Sequence, residues 1–400
     1  MNIDHCHLCD SKDLNTVIDL GYHPLADTFL TQTDLSEPET RYPLRVALCD
    51  GCGALQSEYV VSAADRYQKH AYSYDSSNSP VAVRHFEELA VKMREIASLS
   101  SGDIAVDIGS NVGTLLQNLK EVDIRTVGIE PSALGKIGNE RGIETIVDFF
   151  GKDAVDEILK RHGEAKTVVM TNVFNHIEDV NGFFDALDSL LRKDGTLFIE
   201  VPYVPELVEK TAFDTIYLEH VSYFAVTPFL AYAKKRGWFF YHLETNAYMG
   251  GSILVALGRD PSRENVPLVE EYLKKEQDLG LRSLETYEAF MERTRNLKSE
   301  LNATLSSLKK DGKRVAGLGA ATKGNTLLNY CGIDADTLEC VLESSPFKIG
   351  KYTPGSHIPI LDEREMDPGI SHLLILPWNL GDYLKEKLGH LPVEFIIPHV

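Results

Sequence analysis

Asp107-Ile-Gly109-Ser-Asn111-Val-Gly113 decides the fold of this chain. It follows an apolar run, Ile104-Ala-Val, and precedes a helical segment that starts at Thr114, so a strand ends in a glycine turn that opens a helix. Glycine tolerates the unusual φ such a turn needs and lets a ligand approach the backbone. Glu130 ends the next apolar run, Thr126-Val-Gly-Ile-Glu130. A carboxylate there, about 20 residues past the turn, accepts hydrogen bonds from a ribose diol. The loop is Gly-x-x-x-Gly and not the G-x-G-x-x-G of dinucleotide enzymes, which disfavours a pyrophosphate cradle. S-adenosylmethionine has a ribose and an amino-acid tail but no phosphate, and suits the pattern better. Asp148-Phe149-Phe150, after the third strand, can set an acceptor and a ring beside adenine. With Asn172, the candidate cofactor residues are Asp107, Gly109, Asn111, Gly113, Glu130, Phe149 and Phe150.

Outward from this turn, strands and helices alternate. A helix from Val81 to about Ser98 precedes it, with Phe86, Leu89, Ala90 and Met93 on one face. TVGIEP, TVVMTNV and TLFIEVP follow as strands, separated by helices from Thr114 and Asn181, which predicts a parallel sheet covered on both faces. WFFYHLETN and SILVALGR complete that sheet. From Pro261 to about Asp311 the pattern is helical and highly charged, as expected of a solvated helix face. Alternation resumes with RVAGLGA, a helix from Thr322, LECVLES, HLLILPW, a helix from Gly381 and EFIIP, so a second, smaller α/β unit is expected. The fold class is α/β, with a Rossmann-like centre. Boundaries are expected at 1–75, 76–259 and 260–400, and the polar stretch Tyr74–Pro80 reads as the first hinge.

The N-terminal segment holds Cys6-His-Leu-Cys9 and Cys49-Asp-Gly-Cys52. Two residues between thiols let one tight turn aim both sulfurs at a single ion, and four thiolates make the closed tetrahedral site of structural Zn²⁺. Such a site has no open position for water, so the metal holds structure and does no chemistry. RYPLRVAL reads as a strand, and the segment around Tyr22–Leu30 as a loop.

The chain has 400 residues with 40 basic and 60 acidic side chains, a formal charge of −20. That field repels nucleic-acid phosphates, which argues against the competing reading of a zinc-ribbon nucleic-acid-binding or -modifying protein. No apolar run is long enough to span a bilayer, and MNIDHCHLCD lacks the features of a signal peptide. Cys331 and Cys340 read as buried thiols in a reducing compartment. A cytoplasmic globular protein is expected.

Glu200-Val-Pro202-Tyr203 ends the strand that should point at the ligand cleft. Soon after comes Tyr217-Leu-Glu219-His220-Val-Ser-Tyr223-Phe224, an acid/base constellation. Histidine titrates near neutrality, a neighbouring carboxylate can orient it and raise its basicity, and a phenol can donate to an oxyanion. Asn175-His176 follows the fourth strand at the same sheet edge and brings a second histidine to the cleft.

Together, the two Cys-x-x-Cys knuckles, D-I-G-S-N-x-G, E-V-P-Y, F-D-T-I-Y-x-E-H-x-S-Y-F and G-A-x-x-K-G-x-T-L-L-N resemble the zinc-containing sugar C-methyltransferases over essentially the whole chain. The resemblance implies a zinc domain, a class I methyltransferase domain and a C-terminal α/β domain. It also implies S-adenosylmethionine-dependent methylation of a carbon, typically C3, of nucleotide-linked 4-keto-6-deoxysugars, with C5 or a hydroxyl as the alternative position. On this reading His220 is the base, assisted by Glu219 and Tyr217. Tyr72 and His176 reach the same cleft, and the zinc segment forms a lid over the sugar. Two departures stand out: Met249-Gly-Gly-Ser252 where such enzymes often read H-G-G-S, and Val112 where Asp is frequent.

Gly317-Leu-Gly319-Ala-Ala-Thr322-Lys323-Gly324 again links a strand to a helix but matches neither the dinucleotide nor the P-loop pattern. Helix amides, permissive glycines and a lysine suit a diphosphate, so this turn is the expected sugar-nucleotide site. SPFKIGKYTPG, with Lys348, Lys351 and Tyr352, is a second basic loop that could meet it. The candidate substrate contacts are Tyr74, Tyr203, Tyr223, Lys323 and Lys351.

Overall fold

The computed structural model describes residues 1–67 and 73–398. Its centre is a seven-stranded sheet in the order β10-β11-β8-β7-β4-β5-β6. The ranges are β4 (Ile104–Ile108), β5 (Arg125–Ile129), β6 (Thr145–Ile146), β7 (Ala165–Thr171), β8 (Leu191–Pro202), β10 (Phe239–Asn246) and β11 (Ser252–Gly258). β8, β7, β4, β5 and β6 are parallel, while β11 and β10 close the edge antiparallel. All five residues of β4 are buried, as a strand covered on both faces requires. The helix before it runs Pro80–Ala97, with Pro80 in its first turn and the Ser79 hydroxyl accepting from the Ala82 amide, a cap worth about 1 kcal/mol. Its buried stripe, Phe86, Leu89, Ala90 and Met93, is the predicted one.

The C-terminal unit is a parallel five-stranded sheet, β14-β13-β12-β15-β16. Its strands are β12 (Val315–Leu318), β13 (Val341–Glu343), β14 (Ile360–Asp362), β15 (His372–Ile375) and β16 (Glu394–Ile396). Two charged helices, Val266–Asp278 and Leu284–Lys310, lead into it.

The zinc segment forms an antiparallel sheet, β1 (Leu14–His23), β2 (Tyr42–Cys49) and β3 (Leu55–Ser57), whose fourth strand is β9 (Ser222–Tyr223). β9 comes from the acid/base stretch and pairs Tyr223 with Leu55 and Ser222 with Gln56. The expected loop around Tyr22 starts later, because Tyr22 and His23 still pair with Pro43 and Tyr42. One apolar core joins Leu44, Val46 and Leu48 of this sheet to Phe213, Phe290, Leu327 and Ile358. The first and last thirds of the chain therefore pack on each other, which periodicity along the sequence does not reveal. Among the described residues no helix is long and apolar enough to cross a membrane.

Candidate active site

A single cavity of about 1420 Å³ lies at the carboxyl ends of the parallel strands and is lined from all three parts of the chain. Ligand pockets commonly occupy about 300–1,000 Å³, so this one has room for two ligands side by side.

At one end, β4 delivers Asp107 and the turn after it. Gly109 has φ +75°, and a Cβ there would stand 2.3 Å from Val173 Cγ2, so only glycine fits. Glu130 is buried; its Oε2 accepts from the Asn111 amide (3.0 Å) and its Oε1 from the Ser132 amide (2.9 Å). Asp107 Oδ1 and Asn172 Oδ1 are buried and accept no hydrogen bond among the described residues. Burial, and then the nearby Glu130 carboxylate, push the Asp107 carboxyl well above its usual range. Two buried, unsatisfied acceptors beside a glycine turn fit the ammonium and hydroxyl donors of S-adenosylmethionine. Phe149 and Phe150 line the same end. Gly113 does not: a Cβ there would meet Ile143 at 2.8 Å, so its role is to let the helix pack. The Tyr74–Pro80 stretch is hydrogen-bonded to this turn, with Asn111 Nδ2 donating to the Tyr74 carbonyl (2.7 Å) and the Ser76 amide to Asn111 Oδ1 (3.0 Å).

Beyond the cofactor end, Tyr217, Glu219 and His176 line the cavity. Glu219 Oε1 accepts from the Asp27 amide (2.9 Å), while Oε2 accepts nothing among the described residues. Burial raises its carboxyl to about 7. His176 Nδ1 hydrogen-bonds the Glu219 carbonyl, which makes Nδ1 the protonated nitrogen and leaves Nε2 an acceptor. Burial lowers its pKa to about 4. His220 is 3% exposed and stands one layer back, behind the Tyr217 ring, with centroids 3.7 Å apart. Burial, and then His176, hold it neutral, well below the usual histidine range. The expectation that Glu219 orients the His220 ring is not met among the described residues, since Glu219 Oε1 accepts from the Asp27 amide and neither carboxylate oxygen bonds the imidazole. Tyr72 lies outside the described residues.

The four cysteine sulfurs all lie within 4.8 Å of one another, with Cys6–Cys52 and Cys9–Cys49 at 3.6 Å. A zinc tetrahedron with bonds of about 2.3 Å sets its sulfurs about 3.8 Å apart, so the set fits the ion. Gln56, on β3, ties this knuckle to the sheet: it accepts from the His7 amide and donates to the His5 carbonyl, both at 2.9 Å.

Residues 6–67 match the family described as "Putative zinc binding domain", residues 82–243 a methyltransferase domain, and residues 247–398 the C-methyltransferase C-terminal domain. The C-methyltransferase NovU of Streptomyces niveus is 34% identical over 403 residues, spanning 99% of this chain and 95% of that one. The chain belongs to the zinc-containing C-methyltransferases. It is an S-adenosylmethionine-dependent enzyme that methylates carbon. Among solved structures, magnesium protoporphyrin IX methyltransferase of Synechocystis PCC 6803 aligns at 13% identity and TM-score 0.35, covering 44% of this chain and 83% of that one. The PH0226 protein of Pyrococcus horikoshii OT3 gives 15% and 0.37, with 47% and 95% covered.

Three of the methyltransferase's expected substrate contacts lie elsewhere. Tyr203 is fully buried, with its hydroxyl on Glu276 (2.8 Å). Tyr223 packs behind His220 and donates to its carbonyl (3.4 Å). Lys351 is not among the lining residues, and Lys348 lines the cavity instead, its Nζ donating to the Ala320 carbonyl (2.7 Å). Tyr74 and Lys323 do line it; Lys323 Nζ donates to the Met249 carbonyl (2.8 Å) and sits over the Trp378 ring.

Asp27, Arg66 and His85 carry no motif and were not legible. Asp27 lines the cavity, and its Oδ1 accepts from Thr322 (2.9 Å) and Ser73 (3.2 Å). Arg66 donates to the carbonyls of His176 (3.2 Å) and Glu219 (3.1 Å) and pairs with Glu178, so the zinc segment holds both acid/base loops. His85 lines the cavity, stacks on Tyr248 at 3.9 Å and bonds Glu200 (2.7 Å). Glu200 is thus buried behind it and does not point into the cleft.

Proposed function

We propose that this C-methyltransferase methylates C3, beside the ketone, of a nucleotide-linked 4-keto-deoxysugar in the cytoplasm. The observation that carries the reading is the single cavity in which the Asp107–Glu130 turn, the Tyr217–Glu219–His176 cluster and the Lys323 and Lys348 ammoniums meet. Bound S-adenosylmethionine supplies an electrophilic methyl group. On this reading Glu130 takes the ribose hydroxyls, Asp107 and Asn172 take the ammonium, and Phe149 and Phe150 flank the adenine. The two lysines offset the diphosphate charge. Residues 1–75 act as the lid, 76–259 bind the cofactor and 260–400 bind the nucleotide.

A hydrogen beside a ketone is acidic because its loss leaves an enolate. His220 takes that proton once the Tyr217 ring turns aside, and the Tyr217 hydroxyl donates to the enolate oxygen. Neutral imidazole is the required form, and burial keeps His220 in it. A second reading makes Glu219 the base. It is favoured by Oε2, which has no partner among the described residues, and a pKa near 7, where a general base works well.

Hydrogen exchange separates the two. With S-adenosylhomocysteine bound, the wild type in D₂O exchanges the hydrogen beside the ketone. His220→Asn abolishes exchange on the first reading, and Glu219→Gln does so on the second. Methylation at C5, or with no exchange at C3, overturns the C3 enolate.

A further inference from the structure

The cofactor turn has a counterpart in the C-terminal sheet. β12, β13 and β14 lie side by side and parallel, as β4, β5 and β6 do, with β15 flanking β12 as β7 flanks β4. Each first strand runs into a glycine with positive φ, Gly109 at +75° and Gly319 at +78°. A Cβ on Gly319 would stand 2.8 Å from Pro377, so this turn is also closed to larger residues. Each second strand delivers a glutamate, Glu130 just after β5 and Glu343 as the last residue of β13.

The two carboxylates are held in the same way. Glu130 accepts from the amide of its own i+2 residue, Ser132, and from Asn111 in the glycine turn. Glu343 accepts from its i+2 amide, Ser345 (2.9 Å), and from Ala320 in the second turn (2.7 Å). The Ser344 amide adds a third bond (2.7 Å). Both glutamates line the one cavity. Backbone amides, two for Glu130 and three for Glu343, fix each carboxylate at the mouth of a strand–turn–helix and leave a lone pair for a ligand hydroxyl, which is how a ribose is read in this architecture.

Resting on the nucleotide-linked substrate proposed above, we infer that Glu343 is a specificity-determining residue that accepts a hydrogen bond from the 3′-hydroxyl, and from the 2′-hydroxyl where one is present, of the pentose of the substrate's nucleoside diphosphate. Lys348 Nζ donates to the carbonyl of Ala320, whose amide holds Glu343, and Lys323 lines the same cavity with its Nζ on the Met249 carbonyl, so two ammoniums are available to the diphosphate. The chain thus reads two pentoses with two copies of one device, the cofactor's at Glu130 and the substrate's at Glu343.

The test is calorimetry on the full chain saturated with S-adenosylhomocysteine, titrated with dTDP, UDP and GDP, and then with the 2′,3′-dideoxy form of the tightest binder. Glu343→Gln keeps one carbonyl oxygen for the turn amides but offers the pentose no free carboxylate. It should weaken the parent nucleotide about 10- to 100-fold, the worth of a hydrogen bond to a charged group, and leave S-adenosylhomocysteine affinity unchanged. Glu130→Gln should do the reverse. The wild type should bind the dideoxy form about as weakly as Glu343→Gln binds the parent, and the variant should no longer distinguish the two. Parent affinity unchanged in Glu343→Gln, or equal loss of both ligands, overturns the inference while the substrate class stands. A wild type that binds none of the three nucleotides overturns the substrate class and the inference with it.

Discussion

The phenol ring of Tyr217 lies over the imidazole of His220, centroids 3.7 Å apart and planes 38° from parallel. Tyr217 and Glu219 face the cavity, and His220 does not. The cover and the hydroxyl of Tyr217 can be separated. Tyr217→Phe keeps the stacked ring and removes the enolate donor, so kcat should fall about 10²- to 10³-fold, the usual cost of one oxyanion donor. Steady-state kinetics checks this, and an unchanged kcat would assign Tyr217 to covering alone.

Glu219 gives stability a pH dependence of known sign. Its carboxyl is raised from 4.5 to about 7 in the folded chain, chiefly by burial. The folded form therefore stays protonated while the unfolded form ionises. Its contribution is complete below pH 4.5 and is lost as pH rises to about 7, an effect on the order of 3 kcal/mol at roughly 1.4 kcal/mol per unit. Glu219→Gln should remove that loss, so the variant gains melting temperature relative to wild type between pH 5 and about 7.5. His176, lowered from 6.5 to about 4, acts oppositely: its contribution is complete above 6.5 and is lost as pH falls to about 4. It is present in both proteins and cancels in the difference. Parallel melting curves would mean that Glu219 is ionised in the fold.

Glu130→Ala should weaken S-adenosylhomocysteine by about 1.5–3 kcal/mol, the worth of a charge-assisted hydrogen bond. It also strips an acceptor from the Asn111 and Ser132 amides, so calorimetry is to be read beside Glu130→Gln, which keeps one of them. Equal affinity in both variants and wild type would place the ribose elsewhere.

Cys49→Ser should lose zinc and lower the melting temperature, yet leave S-adenosylhomocysteine affinity nearly unchanged, because no zinc-knuckle residue lines the cofactor end. Turnover should fall more than cofactor affinity, since Gln56 pairs with Ser222 just past His220. Metal analysis with calorimetry decides it; zinc retained at one per chain in the variant would remove Cys49 from the ligand set.

The sequence by itself determined the order of strands and helices, the cofactor turn with its glutamate, and the zinc knuckles. Each is a local device: strands buried on both faces read as apolar runs, a glycine turn must sit between strand and helix, and knuckle ligands lie two residues apart. The tertiary structure decided which side chains share the cavity. Tyr203, Tyr223 and Lys351 stand in the right segments but do not line the cavity, Tyr203 bonding Glu276 and Tyr223 the His220 carbonyl, while Lys348 does line it. Asp27 and Arg66 come from the first third of the chain and meet Glu219 only because β9 completes the zinc sheet and Thr322 binds Asp27. Such contacts join residues far apart in sequence through packing and hydrogen bonds that no spacing encodes. The kinds of chemistry were therefore written locally, and their partners were chosen by the fold.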